Sequence, residues 1–111
     1  MTDVHWPRVK EILDGIMARW EEEHGRKPHM KGAHQADIGW NTKEQLASSA
    51  PYDKQLIEPD KVGNGRAHET NLVRILTSYI GGYRRMPSRG PYLSRAEIEE
   101  IAQWIDAGMP D

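Results

Sequence analysis

Apolar residues recur every three or four positions in the first quarter of the chain. Between residues 6 and 23 they form a single stripe, which is typical of a helix with one buried face. Pro7 suits the first turn of such a helix, and Gly25 supplies a stop signal. The stripe consists of Val9, Ile12, Leu13, Ile16, Met17 and Trp20. The pattern therefore predicts a helix over residues 6–23.

Two shorter segments in the middle of the chain also have helical signals. A helix over residues 42–48 would follow Asn41 or Thr42, either of which can cap its first turn. Residues 68–80 place apolar side chains on one helical face and are followed by a pair of glycines. The segments between these helices are rich in Gly, Pro and polar residues, which indicates loops.

The last helical segment covers residues 94–107. It begins with Ser94 and Glu97, which have the spacing of a capping box, and its apolar residues continue at helical intervals. Strand-like alternation of apolar and polar residues is not found in the sequence. The pattern as a whole predicts a single all-α domain over residues 1–111.

Composition excludes several classes of protein. The chain has 111 residues and no cysteine, so disulfides, thiolate zinc sites, iron–sulfur clusters and thioether-linked haem are excluded. The formal net charge is −2 with both signs interspersed, and we therefore expect neither a nucleic-acid nor a membrane partner. Residues 1–11 show no basic-then-apolar leader. We expect a cytoplasmic protein if Met1 is the native start, and a periplasmic one if a signal peptide was removed and replaced by Met1.

The C-terminal third resembles a known family. The segment LSRAEIEEIAQWIDAGMP follows TNLVRIL and RMPSRGPY. This order resembles the small class I cytochrome c domains that are attached to large bacterial oxidoreductases, in which a helix leads to a Met-Pro loop and a final helix closes the domain. The resemblance implies a cytochrome c-like fold of about four helices with long loops, roughly residues 6–23, 42–48, 68–80 and 94–107.

The N-terminal half departs from that family at its haem-attachment motif. The family has Cys-x-x-Cys-His-Gly where this chain has WEEEHG. Aligning His24 with the family's histidine puts Trp20 and Glu23 at the cysteine positions. A second alignment, based on the distance from the apolar stripe, puts Met17 and Trp20 there and Glu21 at the histidine. In both alignments the covalent anchors for haem are absent.

A lost haem leaves a crevice that other side chains must fill, because protein interiors pack densely. We expect aromatic residues to line it, namely Trp20, Trp40, Tyr79, Tyr83 and Tyr92. The prediction is therefore a haem-free binding or interaction module without a cofactor. Its partner would be a protein or a small ligand.

A basic cluster beside the Met-Pro loop is the second candidate surface. In the family this face docks partners, so the resemblance implies that an acidic protein or a carboxylate ligand could bind here. An ordinary charged surface, balanced by Glu97, Glu99 and Glu100, is the alternative interpretation. We call this cluster the Met-Pro edge, and it consists of Arg84, Arg85, Arg89 and Arg95.

Three further functions are open. The resemblance makes His24 and Met86 a candidate axial pair, so an electron-transfer protein could hold haem b non-covalently. Alternatively, His24, His29 and His34 could bind Cu or Zn if their loop lets them converge. The chain shows neither a nucleophile motif nor a phosphate loop. A catalytic role would require a remodelled crevice.

Overall fold

The computed structural model describes residues 4–25, 39–49, 55–78 and 90–111. Within those ranges the chain forms four α-helices and two short 3₁₀ turns, and no strand. The prediction of an all-α chain is thus confirmed for this part of the protein. The helices are α1 (Trp6–His24), α2 (Lys43–Ser48), α3 (Asn71–Thr77) and α4 (Arg95–Asp106), and the 3₁₀ turns are Pro59–Lys61 and Ala67–Glu69.

The capping signals in the sequence set most of the helix ends. Gly25 ends α1 in the left-handed conformation, with φ 68°, and its N–H donates to the carbonyl of Glu21 at 2.8 Å. Thr42 caps α2 by accepting from the N–H of Gln45. Ser94 and Glu97 form the predicted capping box at the start of α4. Local side-chain chemistry therefore fixes these boundaries.

The third helix is shorter than the predicted range of residues 68–80. The 3₁₀ turn comes first, and the buried side chain of Thr70 then accepts from the N–H of Val73. This bond makes Thr70 the N-cap, so α3 begins at Asn71. The helix ends at Thr77 because Ser78 is extended, with φ −160°. The buried residues of α3 are Leu72, Val73, Ile75 and Leu76.

Helices α1 and α4 pack against each other and both contribute to the core. The indoles of Trp6 and Trp104 lie 5.6 Å apart at the N-terminal end of α1. Arg8 and Arg19 are separated by about 16 Å along α1, whereas the glutamates they bind on α4 lie within one turn. The two helices therefore cross at an angle, with an arginine on each side of the crossing. The residues of these two helices that belong to the buried core are Val9, Ile12, Leu13, Ile16, Ile98, Ile101, Ala102, Trp104 and Ile105.

Candidate functional site

The last residue of α1 lies against the segment that leads into α4. Nε2 of His24 is 2.7 Å from the carbonyl oxygen of Gly90, and the imidazole is half-buried. The ring also stacks on Trp20, with ring centroids 4.1 Å apart and an angle of 27° between the planes. Trp20 itself is buried. A helical spacing of four residues produces the stack, since it places both rings on one side of α1.

The hydrogen bond to Gly90 determines that Nε2 of the His24 ring carries a proton. A carbonyl oxygen can only accept, so Nε2 must carry a proton and donate to Gly90. A metal-bound imidazole nitrogen needs its lone pair, which Nε2 does not offer in this arrangement. The described residues therefore do not fit a haem ligated through Nε2 of His24. The other predicted axial residue, Met86, lies outside the described residues.

The aromatic residues predicted to line the crevice occupy different environments. Trp20 is buried, while Trp40 is half-buried and donates from Nε1 to the carboxylate of Asp14 at 2.9 Å. Tyr92 is 40% exposed. Its ring lies beside Gly90, where a Cβ atom would be 3.3 Å from the tyrosine Cε2. The two other predicted crevice residues, Tyr79 and Tyr83, lie outside the described residues.

Three of the four residues of the Met-Pro edge, Arg84, Arg85 and Arg89, also lie outside the described residues. The fourth, Arg95, is exposed at the first position of α4. Its guanidinium makes no hydrogen bond or ion pair within the described part of the chain. Arg74, an exposed residue of α3 that sequence reasoning missed, likewise has no such partner there.

The other described cations behave differently. Each lysine or arginine in residues 4–25, 39–49 and 55–69 lies within 4.0 Å of a carboxylate. These residues are Arg8, Lys10, Arg19, Lys43, Lys61 and Arg66. The lack of an ion pair at Arg74 and Arg95 therefore sets them apart from the other cations that the structure describes.

The glutamates of α4 have partners of their own. Glu100 accepts a two-point contact from Arg8, at 2.8 and 2.9 Å. Glu97 binds Arg19 at 3.3 Å, and Glu99 binds His68. The alternative interpretation assigned these carboxylates to the Met-Pro edge. Within the described residues, side chains from α1 and the second 3₁₀ turn bind them instead.

The pKa values of two of these carboxyls are lowered. Hydrogen bonding and charge from Arg8 outweigh burial and lower the pKa of Glu100. Burial alone would raise the pKa of Glu97, but bonds from Ser94 and Arg19 outweigh it and the pKa is lowered. Both groups are therefore held in the ionised form that pairs with arginine.

A segregation of charge in the sequence accompanies the lack of an ion pair at Arg74. Residues 70–96 contain five arginines and no Asp or Glu, so all 17 acidic residues lie elsewhere. We call this segment the acid-free stretch, and it includes Arg74 together with the Met-Pro edge. Arg74 accordingly has no Asp or Glu within four positions, whereas Arg95 has Glu97 and Glu99 within four positions, and these two carboxylates bind Arg19 and His68 instead. Counting charges along the chain would have revealed this signal for Arg74.

The predicted metal site and the expected absence of a membrane partner are the remaining points. In residues 4–25, 39–49, 55–78 and 90–111, no three His, Asp or Glu side chains converge to hold a metal ion. His29 and His34, the other members of the predicted metal site, lie outside those ranges. Over the same residues, the helices are too short or too polar to span a bilayer.

Comparisons with known proteins give the chain no relative. No family model matches it. Neither the curated proteins nor the solved structures contain a match. The resemblance to class I cytochrome c domains therefore remains a prediction from the sequence.

Proposed function

We propose that this protein is a haem-free helical interaction module that binds an acidic protein segment through its acid-free stretch. The observation that carries the proposal is the contrast between paired and unpaired cations. Arg74 and Arg95 are exposed and have no carboxylate partner within the described residues. Exposed charges of one sign attract a partner of the opposite sign and raise its rate of association.

The chemistry of arginine favours a carboxylate partner. The guanidinium is planar and always charged, and it can donate two parallel hydrogen bonds to one carboxylate. The bidentate contact between Arg8 and Glu100 shows this geometry within the protein itself. An acidic segment of another protein would offer the same groups to Arg74 and Arg95.

The haem-free part of the proposal is supported by the contacts of His24. Trp20 occupies one face of the imidazole, and the ring's Nε2–H is engaged by the carbonyl of Gly90. Binding haem through Nε2 would require this hydrogen bond to break and residue 90 to move away from the ring. Such contacts of protein groups with the His24 ring are expected where a dense core has replaced a cofactor.

Binding of a fluorescent oligoglutamate peptide tests the role of the arginines. We expect Arg74→Gln and Arg95→Gln each to weaken binding by about two- to fivefold, the effect of one exposed ion pair. Arg66→Gln is the matched control, because it removes the same charge from an exposed arginine that is already paired with Glu69. Binding should also weaken as salt rises from 20 to 200 mM.

The outcomes separate the possibilities. An equal loss of peptide binding in Arg66→Gln would mean that binding depends only on the net charge of the protein, which would refute the role of Arg74 and Arg95. A wild-type protein that does not bind the peptide at low salt would refute the proposal.

Adding hemin tests the haem-free state, and we expect only the spectrum of free hemin. A sharp Soret band that disappears in both His24→Ala and Met86→Ala would instead favour electron transfer through a non-covalent haem.

A further inference from the structure

The hydrogen bond between His24 and Gly90 joins two distant parts of the chain. It connects the last residue of α1 to a carbonyl 66 residues later. Residues 90–94, which we call the bridge, then lead from this bond into α4. The bond therefore fixes the start of the bridge to the end of α1.

The bridge is also fixed at its other end. Leu93 is buried in the core, and Ser94 is held by its capping box with Glu97. At the start of the bridge, Gly90 is buried and has φ 64°, a conformation that suits glycine. The backbone is thus anchored on both sides of Pro91 and Tyr92.

Tyr92 is the exposed side chain between these anchors. It is 40% exposed and is the one large hydrophobic residue in the described part of the chain that reaches this exposure. Tyrosine and arginine are among the residue types that are enriched at the energetic hot spots of protein interfaces. Tyr92 lies three residues from Arg95 and three from Arg89 in the sequence. A tyrosine with arginines three positions away in the sequence is suited to a partner that offers both an apolar group and carboxylates.

We propose that Tyr92 is the aromatic anchor of the binding surface and that His24 is its positioning residue. The Nε2–H of His24 holds the carbonyl of Gly90, and Gly90 supports one side of the Tyr92 ring. This inference rests on the proposed function and specifies the partner as an acidic segment that carries an apolar side chain. Holding the tyrosine in place before binding lowers the entropy lost in the complex.

Two synthetic peptides test the inference. One is oligoglutamate, and the other has a leucine at its centre. We expect the wild-type protein to prefer the leucine peptide by about three- to tenfold, which is the contribution of one moderately buried apolar contact. Tyr92→Ala should abolish the preference while keeping the affinity for oligoglutamate.

Three variants of His24 separate the hydrogen bond from the bulk of the ring. His24→Gln should retain the preference, because the glutamine amide N–H can take the position of Nε2. His24→Asn and His24→Ala should lose the preference, since neither side chain reaches Gly90. Circular dichroism at the assay temperature shows that each variant is folded, and nuclear magnetic resonance of the wild type should detect a protected Nε2–H on His24.

The results distinguish this inference from the proposed function. Absence of binding to both peptides would refute the proposed function, and with it the role of Tyr92. Equal binding of both peptides by the wild type would refute only the anchor. A preference that persists in His24→Ala, or a rapidly exchanging Nε2–H, would overturn the positioning role. Should His24→Ala fail to fold, the comparison of glutamine with asparagine and the Nε2–H signal decide the outcome.

Discussion

Replacing Trp20 with alanine should remove a buried indole from the end of α1 and destabilise the protein strongly. The side chain is 6% exposed and stacks on His24. Removing a buried Trp side chain costs about 3–5 kcal/mol, because both its transfer energy and its packing are lost. For 111 residues, an unfolding entropy of about 2.1 cal/mol/K per residue converts this loss into a fall in Tm of about 13–21 °C.

Thermal and urea unfolding measure the loss, and added indole tests whether a shaped cavity causes it. Apolar cavities can bind small aromatic molecules. Indole at ten times its Kd should restore about 1.4 kcal/mol to Trp20→Ala and leave the wild type unchanged. Trp40→Ala is the matched control, because Trp40 is only half-buried, and we expect it to cost about 1–2 kcal/mol. The reasoning would be refuted if Trp20→Ala cost no more than this control.

Three other predictions concern stability. Ser94→Ala should cost about 1 kcal/mol in urea unfolding, because it removes the side-chain half of the capping box of α4, and an unchanged midpoint would contradict this role. Gly15→Ala should stabilise α1 by about 0.5–1 kcal/mol, because a Cβ there meets open space, whereas Gly25→Ala should destabilise by about 1 kcal/mol at φ 68°. A destabilising Gly15→Ala would contradict the open space at that position, and a stabilising Gly25→Ala would contradict the assigned end of α1. The pKa values of Glu97 and Glu100 are lowered in the folded protein. The stability that these two carboxylates give to the fold is therefore fully present at pH values well above 4.5, the ordinary pKa of glutamate, and is lost as the pH falls through their lower folded pKa values. Urea unfolding from pH 7 to pH 3 should show this loss, and a flat profile would contradict the ion pairs with α1.

Local chemistry explains which parts of the fold were predictable. The stripe of α1 and the capping residues Thr42 and Ser94 act over a few residues, so the sequence carries their signal directly. The start of α3 was predicted too early because His68 and Thr70 are both plausible first residues, and only the buried bond of Thr70 decides between them. The spacing of apolar residues along the sequence carries no information about such a hydrogen bond.

The candidate site depends on contacts that local patterns do not encode. His24 was singled out by a family resemblance, but no pattern indicates that its ring binds a carbonyl 66 residues away. The partners of the glutamates on α4 are similarly distant, since Arg8 and Glu100 are 92 positions apart. The lack of an ion pair at Arg74 could have been anticipated, because the acid-free stretch is visible in the sequence alone, whereas the lack of one at Arg95 depends on the distant partners of Glu97 and Glu99.

The crossing of α1 and α4 has a consequence for how the molecule opens. Forming it brings together segments almost a full chain length apart, and the entropy of closing so long a loop must be lost before the contacts form. Once formed, the crossing is bounded by Arg8 on one side and Arg19 on the other. Separating the helices therefore breaks both ion pairs and the core between them in one event. Amide protons on the buried faces of these two helices should then exchange with solvent only through global unfolding.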